Sequence, residues 1–263
     1  MTGGLRPSVC FLLALVAVAA GGPTLARHDP TEMNKAAPLA RPSWSYPMGT
    51  DQFGRDILSR LIVGSRVALA VGLGATLTAS LVGVPLGLWA GYAAGRVDGL
   101  LMRGIDTLLA LPPVLLAMAL VAMTGPGSLN AGIAVAVVSL PQFARLARAG
   151  TLSQKGMEYA EAAVAMGASG GRIVFRTLLP NVLSPLVVQV PIAISRAILL
   201  EASLSFLGLG TQPPEPSWGL MVSESRNFMH TAPWYGVFPG ALIALTVVAL
   251  NAVSDAVRRG RRS

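Results

Sequence analysis

The chain has 263 residues, 53% of them hydrophobic and 12% charged, with a formal net charge of +8. A soluble domain carries about 25% charged residues, so the composition argues against an aqueous globular fold and for lipid as the solvent. The basic residues sit at the ends of apolar runs rather than along one face, which marks them as topology signals instead of a nucleic-acid surface.

In chain order, the first element is residues 1–26, with Arg6 ahead of an apolar core and Gly21, Gly22 and Pro23 behind it. This stretch reads either as a cleavable signal peptide or as an uncleaved first span. The span is preferred, because a multi-pass protein can use its first helix as the insertion signal. Cys10, the single cysteine, lies in this run and reads as a small buried residue. Residues 27–66 hold no run long enough to cross a bilayer and form an external loop, with helical spacing of Leu58, Leu61 and Ile62 near its end. A second span covers 67–92, with Pro85 inside it, and a polar turn follows with Arg96, Asp98 and Arg103. The third span is 105–124, interrupted by Pro112 and Pro113, and the fourth is 131–149 with Pro141. The fifth, 181–200, contains Pro185 and Pro191. A second external segment, 201–233, leads to the sixth span, 234–253, and a basic tail, 254–263. Prolines inside spans are tolerated where neighbouring helices repair the freed carbonyls.

Lys and Arg set the orientation. With the amino terminus inside, twelve of the twenty basic residues fall in inner segments and seven in outer ones, Arg196 remaining within the fifth span. Both termini are therefore expected in the cytoplasm, together with the polar island between spans four and five. That island, 150–180, holds a run of good helix formers around Glu158 and Glu161, then Gly167 for a sharp turn. Ser169 is placed to cap a second short helix, 172–179, ahead of Pro180. A helix–turn–helix finger of this kind can pass a push from a soluble partner into spans four and five. The same stretch also reads as an ordinary connecting loop, although loops this long usually have a role.

The spacing Glu161-Ala162-Ala163, three residues, Gly167, and then Leu179-Pro180 resembles the EAA signature of permease subunits in ABC importers. The family pattern has Ile two residues before the leucine, where this chain has Thr177. Two further stretches resemble the dipeptide/oligopeptide/nickel branch of that family. One is Gly49-Thr50-Asp51-Gln52-Phe53-Gly54-Arg55-Asp56, followed by Ser59-Arg60 and Gly64-Ser65-Arg66. The other runs from Glu201 to Gly210 and on through Gln212-Pro213-Pro214 to Pro216-Ser217-Trp218-Gly219. The resemblance implies an all-α membrane protein of type I ABC importer permease architecture, with six transmembrane helices and a cytoplasmic coupling helix–turn–helix. It implies a bacterial inner-membrane subunit that imports peptides, with nickel chelates as the alternative cargo. It also implies a second homologous permease, two cytoplasmic ATPase domains that bind ATP and magnesium, and an extracytoplasmic substrate-binding protein. Glu158, Glu161, Ala162, Ala163, Gly167, Leu179 and Pro180 are then the expected contacts to the ATPase.

The remaining residues fit that expectation. No Gly-x-x-x-x-Gly-Lys-[Ser/Thr] occurs, so this chain has no P-loop for ATP and energy must come from a partner. No cofactor is expected in the chain itself, and His28 and His230, its only histidines, are far apart in sequence. A channel or secondary transporter would need mid-membrane polar groups or an inverted repeat, and a membrane enzyme a convergent polar set; neither stands out. Asp98 and Asp106 are expected to pair with nearby arginines at the inner interface. Arg196, about 24 Å along a helix from Pro180, is expected near the outer interface. There it either snorkels or pairs with Glu201, or it faces the path and meets a peptide carboxylate.

Overall fold

Ten α-helices are distributed along residues 5–260, the residues that the computed structural model describes. Residues 1–4 and 261–263, including Arg261 and Arg262 of the basic tail, lie outside the described residues. The helices are Leu5–Gly21 (α1), Ile57–Ala93 (α2), Gly95–Leu108 (α3), Pro113–Thr124 (α4), Ser128–Lys155 (α5), Glu158–Ala165 (α6), Gly170–Arg172 (α7), Leu179–Phe206 (α8), Trp218–Ser225 (α9) and Pro233–Gly260 (α10). A π-helical stretch, Ile173–Leu178, joins α7 to α8, so helical backbone runs from Gly170 to Phe206. Five helices are long and apolar enough to cross a membrane, and a sixth span exists if the bent pair α3 and α4 is counted as one.

The packing is that of a bundle in lipid. On α2 the buried positions are mostly small (Ala68, Gly72, Ala75, Ala79, Gly83, Gly87), while Leu73, Leu77 and Leu81 point outward, 50–65% exposed. Small residues inside and leucines outside are expected where the surrounding medium is itself apolar and close backbone packing holds the helices together. The most extensive helix interface is between α2 and α5. Its seam is Gly83, Gly87 and Gly91, one residue per turn, each against an α5 carbonyl. A methyl group on Gly87 would lie 2.1 Å from the Ala144 carbonyl oxygen. Gly87→Ala must therefore push two backbones apart, an overpacking cost of about 1–3 kcal/mol. The expected outcome is lower folded abundance in membranes and a lower unfolding temperature in detergent, whereas Gly74→Ala, with open space at its Cβ, leaves both unchanged.

The third span departs from the expected continuous helix over 105–124. A residue that precedes a proline is biased away from the helical region, and with two prolines in succession Leu111 and Pro112 do not continue the helix. Pro112 takes φ −54°, ψ 137°, and Pro113 opens α4 at its first turn, where a missing N–H costs nothing. The two halves meet at 86°. With 12 residues α4 is about 18 Å long, short of the roughly 30 Å apolar core of a bilayer. Helix α3 starts directly after α2, at Ala94 with φ +55°. The expected pairing of its carboxylates holds: Arg148 grips Asp98 with two bonds of 2.6 and 2.5 Å, and Arg145 reaches Asp106 at 2.6 Å. Two ion pairs thus clip α3 to α5.

The helical spacing of Leu58, Leu61 and Ile62 corresponds to the start of α2 at Ile57, capped by Asp56, whose carboxylate accepts from Ser59 N–H at 3.0 Å. Around this cap Asp51, Arg55 and Arg60 are buried together, with a half-buried fourth charge, Glu224, against them. Arg55 Nε reaches Asp51 at 2.5 Å, and both Arg55 and Arg60 reach Glu224 on α9, at 3.4 and 3.3 Å. Tyr235 of α10 donates its hydroxyl to Glu224 at 2.7 Å, and Arg60 also donates to the Pro30 and Pro214 carbonyls. Trp218, fully buried, donates its indole N–H to the Leu61 carbonyl at 3.1 Å. Two cations and two anions, neutral in sum, therefore join the loop, α2, α9 and α10. The Gly-Thr-Asp and Pro-Ser-Trp-Gly motifs are the two halves of this one knot.

Candidate functional site

At the end of the bundle opposite this knot, α5 stops at Lys155 and the chain turns into α6. Met157 takes an extended conformation as the cap, and Glu158 and Glu161 occupy the first turn, where their charge complements the helix dipole. Helix α6 ends in a complete Schellman motif. Gly167 N–H bonds Val164 O at 2.9 Å, and Ala168 N–H bonds Ala163 O at 3.1 Å. Gly167 itself has φ +75°, the left-handed conformation that motif requires. The expected turn at Gly167 is therefore present. Ser169 occupies the next cap position, but its hydroxyl makes no capping bond; its carbonyl accepts from Ile173 N–H at 3.0 Å.

The second short helix expected over 172–179 does not end at Pro180. Proline lacks the N–H needed for an i→i−4 bond and crowds the carbonyl four residues back. The backbone answers by widening into the π stretch, with Leu179 N–H bonding Val174 O, and the helix continues into α8. Such bulges let a helix pass through a proline without stopping. Pro180 is exposed and Leu179 half-buried, packed beside the Val174 and Val182 cluster.

Alanines decide how α6 sits. Ala160 and Ala163 are buried against Ile173 and Leu178, with Tyr92 from the end of α2 beside them. Only small side chains allow α6 to lie this close. Its other face is open: Glu158, Glu161, Ala162 and Gly167 are exposed, as are Val164 and Met166, the last 81% exposed. A cavity of about 620 Å³ runs beside α6, lined by Tyr92, Lys155, Glu161, Val164, Ile173 and Leu178 among others. Lys155 donates to the Tyr92 carbonyl at 2.6 Å and lies over the Tyr92 ring. The sequence reading missed Tyr92 and Lys155; the aromatic at the end of a span and the lysine at the end of α5 were the available signals.

Arg196 lies elsewhere, and the expected pairing with Glu201 is not formed. Glu201 is buried and accepts a bond from Ser205 at 2.7 Å, so it is not the partner. Arg196 Nη1 instead donates to Gln142 Oε1 at 3.1 Å. Gln142 is near the middle of α5, about 20 Å from either end at 1.5 Å per residue. Both residues line a cavity of about 840 Å³ between α4, α5 and α8.

Comparison with known proteins bears on the whole chain. A model of the family described as "binding-protein-dependent transport system inner membrane component" matches residues 83–260. The di/tripeptide transport system permease protein of Pseudomonas aeruginosa (strain UCBPP-PA14) is 42% identical over 97% of this chain and 86% of its own length. The dipeptide transport system permease protein of Haemophilus influenzae is 41% identical over 97% and 88%. The glutathione transport system permease protein of Pectobacterium atrosepticum is 43% identical over 94% and 83%. Among solved structures, an inward-facing conformation of the MetNI methionine ABC transporter is similar in fold, with a TM-score of 0.62 at 20% identity over 76% of this chain and 97% of that one.

Proposed function

The chain belongs to the family of binding-protein-dependent transport system inner membrane components, and from that membership we propose that it forms half of a path that imports peptides under the drive of partner ATPases. The peptide assignment rests on the relatives above, whose names specify di- and tripeptides, dipeptides and glutathione, all of them peptides. None of those names refers to nickel. The partners are a second permease, two ATPase domains that bind ATP and magnesium, and a binding protein that delivers the peptide. The end that carries α6 faces the cytoplasm and the Arg55–Glu224 knot faces outward, consistent with the distribution of Lys and Arg.

The observation that carries the coupling role is the mechanical continuity of α6. Its buried alanines rest on Ile173 and Leu178, and those residues pass without a helix break into α8. Lys155 and Tyr92 join the same base to α5 and α2. A soluble partner that grips the exposed face of α6 therefore displaces three long helices together. Closure of the ATPases on ATP pushes α6 and opens the path outward to receive peptide, and hydrolysis resets it. Glu158 and Glu161 present charge to the partner, Ala162 a flat surface, and Gly167 the turn that fixes the finger's angle.

Deleting this subunit from cells that express the transporter is expected to abolish uptake of labelled dialanine, and purification of the tagged chain to bring down a P-loop ATPase. Uptake that survives the deletion, or a tagged chain that brings down no ATPase, contradicts the reading.

A further inference from the structure

The cavity between α4, α5 and α8 contains an unusual imbalance of charge. Two cations line it, Arg145 and Arg196. Arg145 is neutralised by Asp106 at 2.6 Å. Arg196 meets only the neutral amide oxygen of Gln142, and among the described residues no carboxylate forms an ion pair with it. A guanidinium within a bilayer-spanning helix is costly unless a partner or water meets it. Retaining one without a counter-charge points to an anion that comes and goes.

The neighbouring side chains support that reading. Gln189, Arg196 and Ser203 lie seven residues apart on α8, hence on one face of the helix, and all three line the cavity. Ser139 and Gln142 of α5 line it from the other side. Gln189 Nε2, two turns of α8 away from Arg196, is buried and has no hydrogen-bond partner. The result is a narrow polar track along an otherwise apolar cavity wall. In it the Ser139 and Ser203 hydroxyls already donate to the Val135 and Leu199 carbonyls, and Arg196 supplies the charged donor. Its volume of about 840 Å³ falls within the roughly 300–1,000 Å³ of small-molecule sites.

We propose that this track is the chain's share of the wall of the peptide path and that Arg196 receives the peptide's α-carboxylate on the way. The proposal rests on the peptide-import reading above and gives it a residue. An α-carboxyl group has a pKa of about 3.3–3.7 and is ionised at neutral pH, so every unmodified peptide carries this anion whatever its side chains. A planar guanidinium matches a carboxylate with two parallel bonds. One charge-assisted contact offsets the loss of water from the carboxylate in the apolar part of the path. Because Arg196 is exposed rather than enclosed, the contact remains weak enough to release its load, as conduction requires. Recognition of the carboxylate alone also suits a route shared by peptides of different sequence.

The test uses the complete importer in proteoliposomes, with its ATPases, second permease and binding protein, and labelled dialanine. Arg196→Gln is expected to lower the maximal uptake rate at least about tenfold while the concentration of loaded binding protein giving half the maximal rate stays within about twofold. Arg196→Lys, which keeps the charge but loses the fork, is expected to retain a rate within about threefold of wild type. Wild-type uptake by Arg196→Gln overturns the assignment, as does an equal loss in the lysine variant. Loss of the second permease from the purified Arg196→Gln complex also overturns it, because Arg196 would then be an interface residue. If the wild-type importer moves neither dialanine, trialanine nor glutathione, the import reading falls as well as the site.

Discussion

Reversing the charge at Glu161 is expected to abolish uptake while the protein remains inserted and folded. Glu161 is exposed on the first turn of α6, beside the cavity that Lys155 also lines, and forms no ion pair among the described residues. The only folding contribution it makes is to complement the helix dipole, about 0.3–1 kcal/mol, too little to unfold a bundle. At a docking surface the same reversal sets like charge against whatever basic group meets it and costs about 2–5 kcal/mol or more. Uptake by Glu161→Lys should therefore fall to a few per cent or less, with membrane abundance unchanged. Gly167 gives an independent check on the same finger. Its Cβ position is open, so any penalty there is backbone strain alone. Gly167→Asn, which tolerates φ +75°, should keep most uptake, whereas the β-branched Gly167→Val pays about 1–2 kcal/mol and misdirects the turn. Full transport by Glu161→Lys, or identical behaviour of the asparagine and valine variants, would refute the coupling role.

The second large effect is expected at the opposite end, where Arg60→Met should destabilise the whole protein. Arg60 is fully buried, and its removal leaves Asp51 and Glu224 sharing Arg55. Removing one member of a buried charge set costs about 3–5 kcal/mol, because an uncompensated charge stays behind. For a chain of this size that corresponds to roughly a 10 °C fall in the unfolding midpoint. The double variant Arg60→Met, Glu224→Gln restores charge balance and should recover part of the loss, a coupling that a double-mutant cycle measures. Thermal unfolding in detergent decides it: equal midpoints for wild type and Arg60→Met would mean that the knot contributes nothing.

Much of this was legible in the sequence because lipid imposes few rules and imposes them strictly. Apolar length gave the spans, Gly167 the turn, and Asp98 and Asp106 their partners. What was hidden depended on contacts between distant segments. Nothing in 201–233 announces that Glu224 will close a charge set begun at Asp51. Pro180 reads locally as a stop, and only the widened backbone at Ile173–Leu178 shows the helix passing through it. Pro112 and Pro113 read as an interruption, but the size of the bend, 86° between α3 and α4, shows only in the fold. The contact of Arg196 with Gln142 was hidden as well, because it joins α8 to α5 between residues far apart in sequence.

The glycine seam between α2 and α5 has a further consequence for how the molecule moves. Gly83, Gly87 and Gly91 place backbone against backbone, with Leu88 and Phe143 buried and packed beside them. The two helices must then swing as one beam. Bending is left to the places where the beam ends: the tight joint at Ala94, the break at Pro112, and the π stretch below α8. All three flank the finger or the polar track, so a stroke delivered at α6 is spent at joints beside the path rather than absorbed within the bundle.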